Sequence, residues 1–146
     1  MLDLGLAIVH HITVFGLIAL LAMEGVMLKD ATINPARLTR VDAGYGLVAG
    51  LAVVIGICRV IWGGKGWAFY EANPFFWAKM GLFVLMALVS IGPTLLFIRW
   101  RRAAAGAAAF TPPAKDLKRV RTWVRLEALL LILLLVCAAA MARYPF

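Results

Sequence analysis

Charge is scarce in this chain. Of its 146 residues, 15% are Asp, Glu, Lys or Arg, where a water-soluble domain carries about 25%. That shortage excludes an ordinary soluble fold. Histidine is scarcer still, with only His10 and His11, side by side. Adjacent residues on a helix point about 100° apart, so the pair cannot clasp one haem from both sides. A bis-histidine cytochrome within one monomer is thereby excluded. Two cysteines, Cys58 and Cys137, define neither a disulfide framework nor a metal site, and read as small apolar side chains inside helices. An internal repeat is absent, as is the paired broken-helix pattern of secondary transporters. Acidic residues are also few, 7 against 15 Lys and Arg, for a net charge of +8.

What fills the chain instead is apolar. Hydrophobic residues make up 64% and the mean hydropathy is +0.95. Crossing the hydrocarbon of a bilayer takes roughly 20 helical residues, and four runs reach that length, at about 4–28, 43–62, 75–98 and 123–142. The reading is one all-α domain over 1–146, an integral membrane antiparallel four-helix bundle with short connections. The first run is too long for a signal-peptide core and lacks a basic leader and a small-residue cleavage site, so it reads as a retained helix. Asn34-Pro35 and Asn73-Pro74 are helix-start signals. Gly46-x-x-x-Gly50 suits close approach of a neighbouring backbone. Pro93 removes one backbone hydrogen bond from the third helix. The fourth helix, leucine-rich over 129–135, looks the least functional.

The excess positive charge is gathered rather than spread. Arg99, Arg101, Arg102, Lys115, Lys118, Arg119, Arg121 and Arg125 flank the third connection, a basic loop at about 99–122. Beside membrane helices this is a topology signal before it is a nucleic-acid site, and anionic lipid headgroups are a sufficient partner for it. With that loop in the cytoplasm, both termini lie outside. The expected location is a bacterial inner membrane, multi-pass, with membrane lipids as partners and no nucleic acid.

Chemistry has to start from the ionisable groups at membrane depth, His10, His11, Glu24, Arg59, Lys79 and Glu127, because each is costly there and such groups usually face the protein interior. At 1.5 Å per residue, His10, Arg59 and Lys79 sit at similar depth below the terminal side on three helices. Glu24, Asp42 and Glu127 gather at the opposite side near Arg40 and Arg125. Residues seven and fourteen apart stay near one helix face, drifting about 20° per seven, so His10, Leu17 and Glu24 share a face, and so do Lys79, Met86 and Pro93. His11 points elsewhere. Arg59 and Lys79 suit carboxylates or phosphates, and equally suit snorkelling to the headgroups. His10 suits metal ligation and equally suits a hydrogen-bonded core position. A haem or porphyrin would satisfy all three. Trp62, Tyr70 and Trp77 belong to an aromatic segment fit either to stack on a planar ring or to form the interfacial belt. Glu24 reads as a proton relay or as the partner of Arg40.

The segments from His10 to Lys29, Arg40-Val41-Asp42-Ala43-Gly44-Tyr45-Gly46 and Asn73-Pro74-Phe75-Phe76-Trp77-Ala78-Lys79 resemble a family of small bacterial four-helix membrane proteins of unassigned function. That is the domain of unknown function 2214, and the resemblance covers essentially the whole chain. More distantly, the layout is similar to HemJ-type protoporphyrinogen oxidases and to copper-resistance CopD-like membrane domains. His10 and Lys79, following Trp77, stand where the HemJ-type family has a helix-one histidine and an early helix-three lysine. The resemblance implies a membrane oxidoreductase with haem b. His10, Lys79 and Glu24 would be its catalytic groups, His10 the metal ligand, and His10, Arg59, Lys79, Trp62, Tyr70 and Trp77 the cofactor-binding set. Electrons would pass to quinone. Two further expectations stand beside it, a non-catalytic accessory subunit of a larger membrane complex or a homo-oligomer, and a small-solute or ion transporter with Glu24 and Lys79 along its path.

Overall fold

The computed structural model describes residues 2–143. Five helices follow one another: α1 Leu2–Met27, α2 Pro35–Trp62, a short α3 Trp67–Glu71, α4 Pro74–Ala103 and α5 Ala114–Arg143. The four long ones are each long and apolar enough to cross a membrane, and together they form an all-α bundle. Two of them start with a proline in the first turn behind an asparagine cap. Asn34 Oδ1 accepts from Arg37 N at 3.0 Å, and Asn73 Oδ1 accepts from Phe75 N at 3.0 Å. Each cap satisfies a donor that the helix itself leaves free.

The helices are longer than their apolar cores. α2 begins at Pro35 rather than near 43, and α5 at Ala114 rather than near 123. Arg37, Arg40, Lys115, Lys118 and Arg119 depress local hydropathy without interrupting the helical backbone. Most of the expected loop 99–122 is therefore helix, and only a short connection remains between α4 and α5.

The bundle is two hairpins. α1 packs chiefly on α2 and α4 chiefly on α5, with lighter contact between the pairs. Gly92 of α4 meets the Trp123 ring of α5, and a methyl group there would overlap it. Gly46 and Gly50 have nothing within 4 Å of the position a Cβ would take, so they open a space between α2 and α4 instead of closing one. The core is concentrated near the connections 28–34 and 104–113, hereafter the loop end, where Leu28, Leu38, Phe97, Trp100 and Val120 are buried. Toward the end bearing both termini, no residue of α1 before Leu17 is buried.

The loop end is also clasped through the backbone. Ile33 and Phe110 exchange main-chain hydrogen bonds of 2.9 Å in both directions, and Thr32 Oγ1 lies 3.3 Å from Thr111 Oγ1. Arg121 donates to the carbonyls of Leu28, Lys29 and Asp30 at 2.6, 2.8 and 3.2 Å, tying α5 to the segment just after α1 and placing a charge of the sign the dipole favours beside that helix end. At the other end, Asn73 Nδ2, just before α4, donates to Met141 O of α5 at 3.3 Å.

Candidate functional site

Two groups of polar side chains face the interior at opposite ends of the bundle. Near the terminal end, the structure brings together His10 of α1, Arg59 of α2 and Lys79 of α4, within electrostatic reach of one another. All three are half-buried. His10 Nδ1 and Arg59 Nε are enclosed and have no hydrogen-bond partner. The His10 ring packs against Gly56, whose missing side chain leaves its place 3.7 Å from His10 Cε1. Lys79 Nζ lies 5.5 Å from the centre of the Phe76 ring, a weak cation–π contact. Among the described residues no carboxylate pairs with this trio.

The other aromatic and histidine positions separate from the trio. Trp62 and Trp77 are exposed on the outer surface, with Trp77 Nε1 donating to Glu71 O at 3.0 Å. Tyr70 is buried, packed against Phe76 at 5.4 Å between ring centres. His11 is exposed and its Nδ1 lies 2.6 Å from Ala7 O on its own helix. Cys58 and Cys137 are free and half-buried.

Below the trio a groove of about 230 Å³ runs between the hairpins. Gly46, Ala49, Gly50 and Val53 of α2 form one wall, and Phe83, Met86, Ala87 and Ser90 of α4 the other, with Tyr45 at its foot. Lys79 stands one turn above Phe83 on the same helix face. The groove is therefore mostly apolar, with Lys79 beyond its Phe83 end.

Toward the loop end, the second group collects oxygens from four helices. Glu24 of α1 and Glu127 of α5 are each 1% exposed and Asp42 of α2 is 7% exposed. Thr94 Oγ1 of α4 donates to Asp42 Oδ1 at 2.9 Å. The buried Tyr45 hydroxyl lies against Glu127, short of a well-directed hydrogen bond. Glu24 Oε1 and Glu127 Oε1 are enclosed without partners. Glu24 turns to Asp42 and Glu127 rather than to Arg40, and no cationic side chain among the described residues acts on the three carboxyls. Arg40 and Arg125 are exposed. Sequence reasoning missed Tyr45 and Thr94. Tyr45 lies one turn after Asp42 on the same face, which is the signal that would have found it. α5, expected to be the least functional helix, supplies Glu127.

The donor sets differ in what they can hold. The trio offers one imidazole nitrogen and two cations, a set suited to a singly ligated haem and its carboxylates. The carboxyl group offers oxygen alone, and among the described residues no cluster has the arrangement of a metal site.

The family described as "Predicted membrane protein (DUF2214)" matches residues 2–144, and the chain belongs to it. No curated protein and no solved structure matches the chain.

Proposed function

We propose that this multi-pass membrane protein binds an anionic amphiphile, foremost a haem b or porphyrin, and serves as a membrane oxidoreductase with electrons passing to quinone. The observation that carries this reading is the convergence of His10, Arg59 and Lys79, from three helices and, among the described residues, with no paired carboxylate, on the terminal side of the apolar groove. Arg59 and Lys79, like charges brought together beside the imidazole, repel, and an anionic ligand removes the conflict. Arg59 and Lys79 would hold its carboxylates, and the unpartnered His10 Nδ1 would serve as ligand or base. The Gly46, Ala49, Gly50 and Val53 wall would take its apolar body. Haem in that position would supply one-electron chemistry; the protein's part is to orient it, to exclude water and to balance its charge.

Purification in detergent followed by absorption spectroscopy tests the reading. A Soret band that appears on haem supplementation and is lost in His10→Ala is the expected result. No band in the intact protein, with His10→Ala indistinguishable from it, overturns the haem version.

A second reading is favoured by one observation, the open glycines of the groove. A transmembrane helix of a partner chain could seat against Gly46 and Gly50, as small residues allow, making this chain an accessory subunit of a larger complex. Native mass measurement separates the two: a stoichiometric protein partner with no pigment supports the second.

A further inference from the structure

We propose that Glu24, Asp42 and Glu127, with Tyr45 and Thr94, form an internal proton-binding site that exchanges protons between the loop-end surface and the groove between α2 and α4. This inference does not depend on what occupies the groove.

Among the described residues the arrangement has no counter-cation. Three carboxyls, from α1, α2 and α5, lie within electrostatic range of one another, and each ion taken from water into a protein interior is costly unless compensated. Among the described residues no charged side chain compensates them: the groups facing the cluster are Tyr45 from α2 and Thr94 from α4, both neutral hydroxyls. α3 lies at the far end of the bundle and contributes nothing to it. Compensation by a bound metal ion would need converging oxygens, and the described residues do not form such a cluster. Protons remain as the species that can neutralise it.

The geometry also gives the site two sides. Glu24 lies within one turn of the loop-end terminus of α1, and Asp42, the most exposed of the three carboxyls, is held by Thr94. Tyr45 lines the groove and lies against Glu127 with its hydroxyl unpartnered. A hydroxyl both donates and accepts, so Tyr45 can receive a proton from Glu127 and present one to a group in the groove. Glu24 Oε1 and Glu127 Oε1, both enclosed and unpartnered, are the acceptors left to carry protons between them. A bundle needing only stability would fill these positions with apolar side chains, which is commonly neutral or stabilising.

Dicyclohexylcarbodiimide, a membrane-permeant reagent, tests this on the full chain in detergent or lipid. The O–H of a protonated carboxyl adds across the carbodiimide to give an O-acylisourea, which rearranges to a stable N-acylurea with no leaving group. Mass spectrometry after digestion is expected to find the adduct on Glu24 or Glu127, at a rate that falls as pH is raised, by up to about tenfold per unit, and that sodium ions do not change. Glu127→Gln is expected to remove its own adduct and to shift the pH dependence of labelling at Glu24. Absence of labelling at every pH in the folded chain, with the detergent-unfolded chain labelled, overturns the proposal. Protection by sodium overturns it in favour of a metal cation. An unchanged Glu24 profile in Glu127→Gln overturns proton sharing. The wild-type profile is decisive even where a variant fails to fold.

Discussion

The terminal half and the loop half of this bundle solve the problem of ionisable groups in a membrane in opposite ways. In the terminal half the charges are cationic, half-buried and carried on long stems. Arg59 and Lys79 can lay those stems along apolar surface and keep their heads near water. In the loop half the groups are carboxyls on short stems, enclosed at 1% exposure for Glu24 and Glu127, and they cannot reach out. The first arrangement can keep its charges solvated; the second can only be neutralised where it stands. Packing follows the same division, with Phe97, Leu38 and Val120 fully buried around the carboxyls and no buried residue in the first four turns of α1.

The comparison breaks most sharply at His10. His10→Ala is expected to abolish a haem spectrum, while Glu127→Gln leaves the spectrum in place; loss in both would mean that the two ends form one site. Next, Arg59→Gln and Lys79→Gln are each expected to weaken binding of a dicarboxylate porphyrin. A charged hydrogen bond is worth about 1.5–3 kcal/mol, or roughly ten- to a hundred-fold in Kd, readable by spectrophotometric titration. Binding unchanged in both would leave the cations as headgroup anchors.

A smaller effect is expected from Arg121→Ala, which removes three carbonyl contacts at the loop end. The loss should be about 1–2 kcal/mol in thermal or denaturant unfolding, with the groove's ligand still bound. The smallest belongs to Glu24→Gln. It keeps the volume and breaks no ion pair, so unfolding should change by less than about 1 kcal/mol. A loss of about 3–5 kcal/mol, the usual cost of breaking a buried pair, would reveal a cationic partner for Glu24.

The four spans were readable because hydropathy and length suffice for them. Helix ends were not, since polar side chains at Arg37 and Lys115 mark the membrane border and not the end of the helix. The asparagine–proline pair at Asn34-Pro35 carried the correct start for α2 all along. Depth counting also foresaw the meeting of His10, Arg59 and Lys79, because 1.5 Å per residue holds along any helix. Pairing within the loop half was less legible. Arg40 is two residues from Asp42, yet neighbours at that spacing face apart on a helix, and Arg40 points outward while Asp42 points in. Glu24 thus met other carboxyls in place of the arginine that proximity in sequence suggested.

The clasp of Ile33 with Phe110 has a mechanical consequence. This clasp ties the two hairpins at the loop end, and the chain segment 63–73 with α3 straps them at the other, so the molecule has the plan of tongs with a fixed pivot and a strap across the tips. From Ala103 to Lys79 the arm of α4 is about 36 Å long at 1.5 Å per residue. A tilt of about 5° at the pivot therefore moves its tip by about 3 Å, close to half the width of a helix radius with side chains. A rotation too small to disturb the packing around Phe97 and Val120 is enough to widen the groove between α2 and α4 sideways, within the slack of segment 63–73.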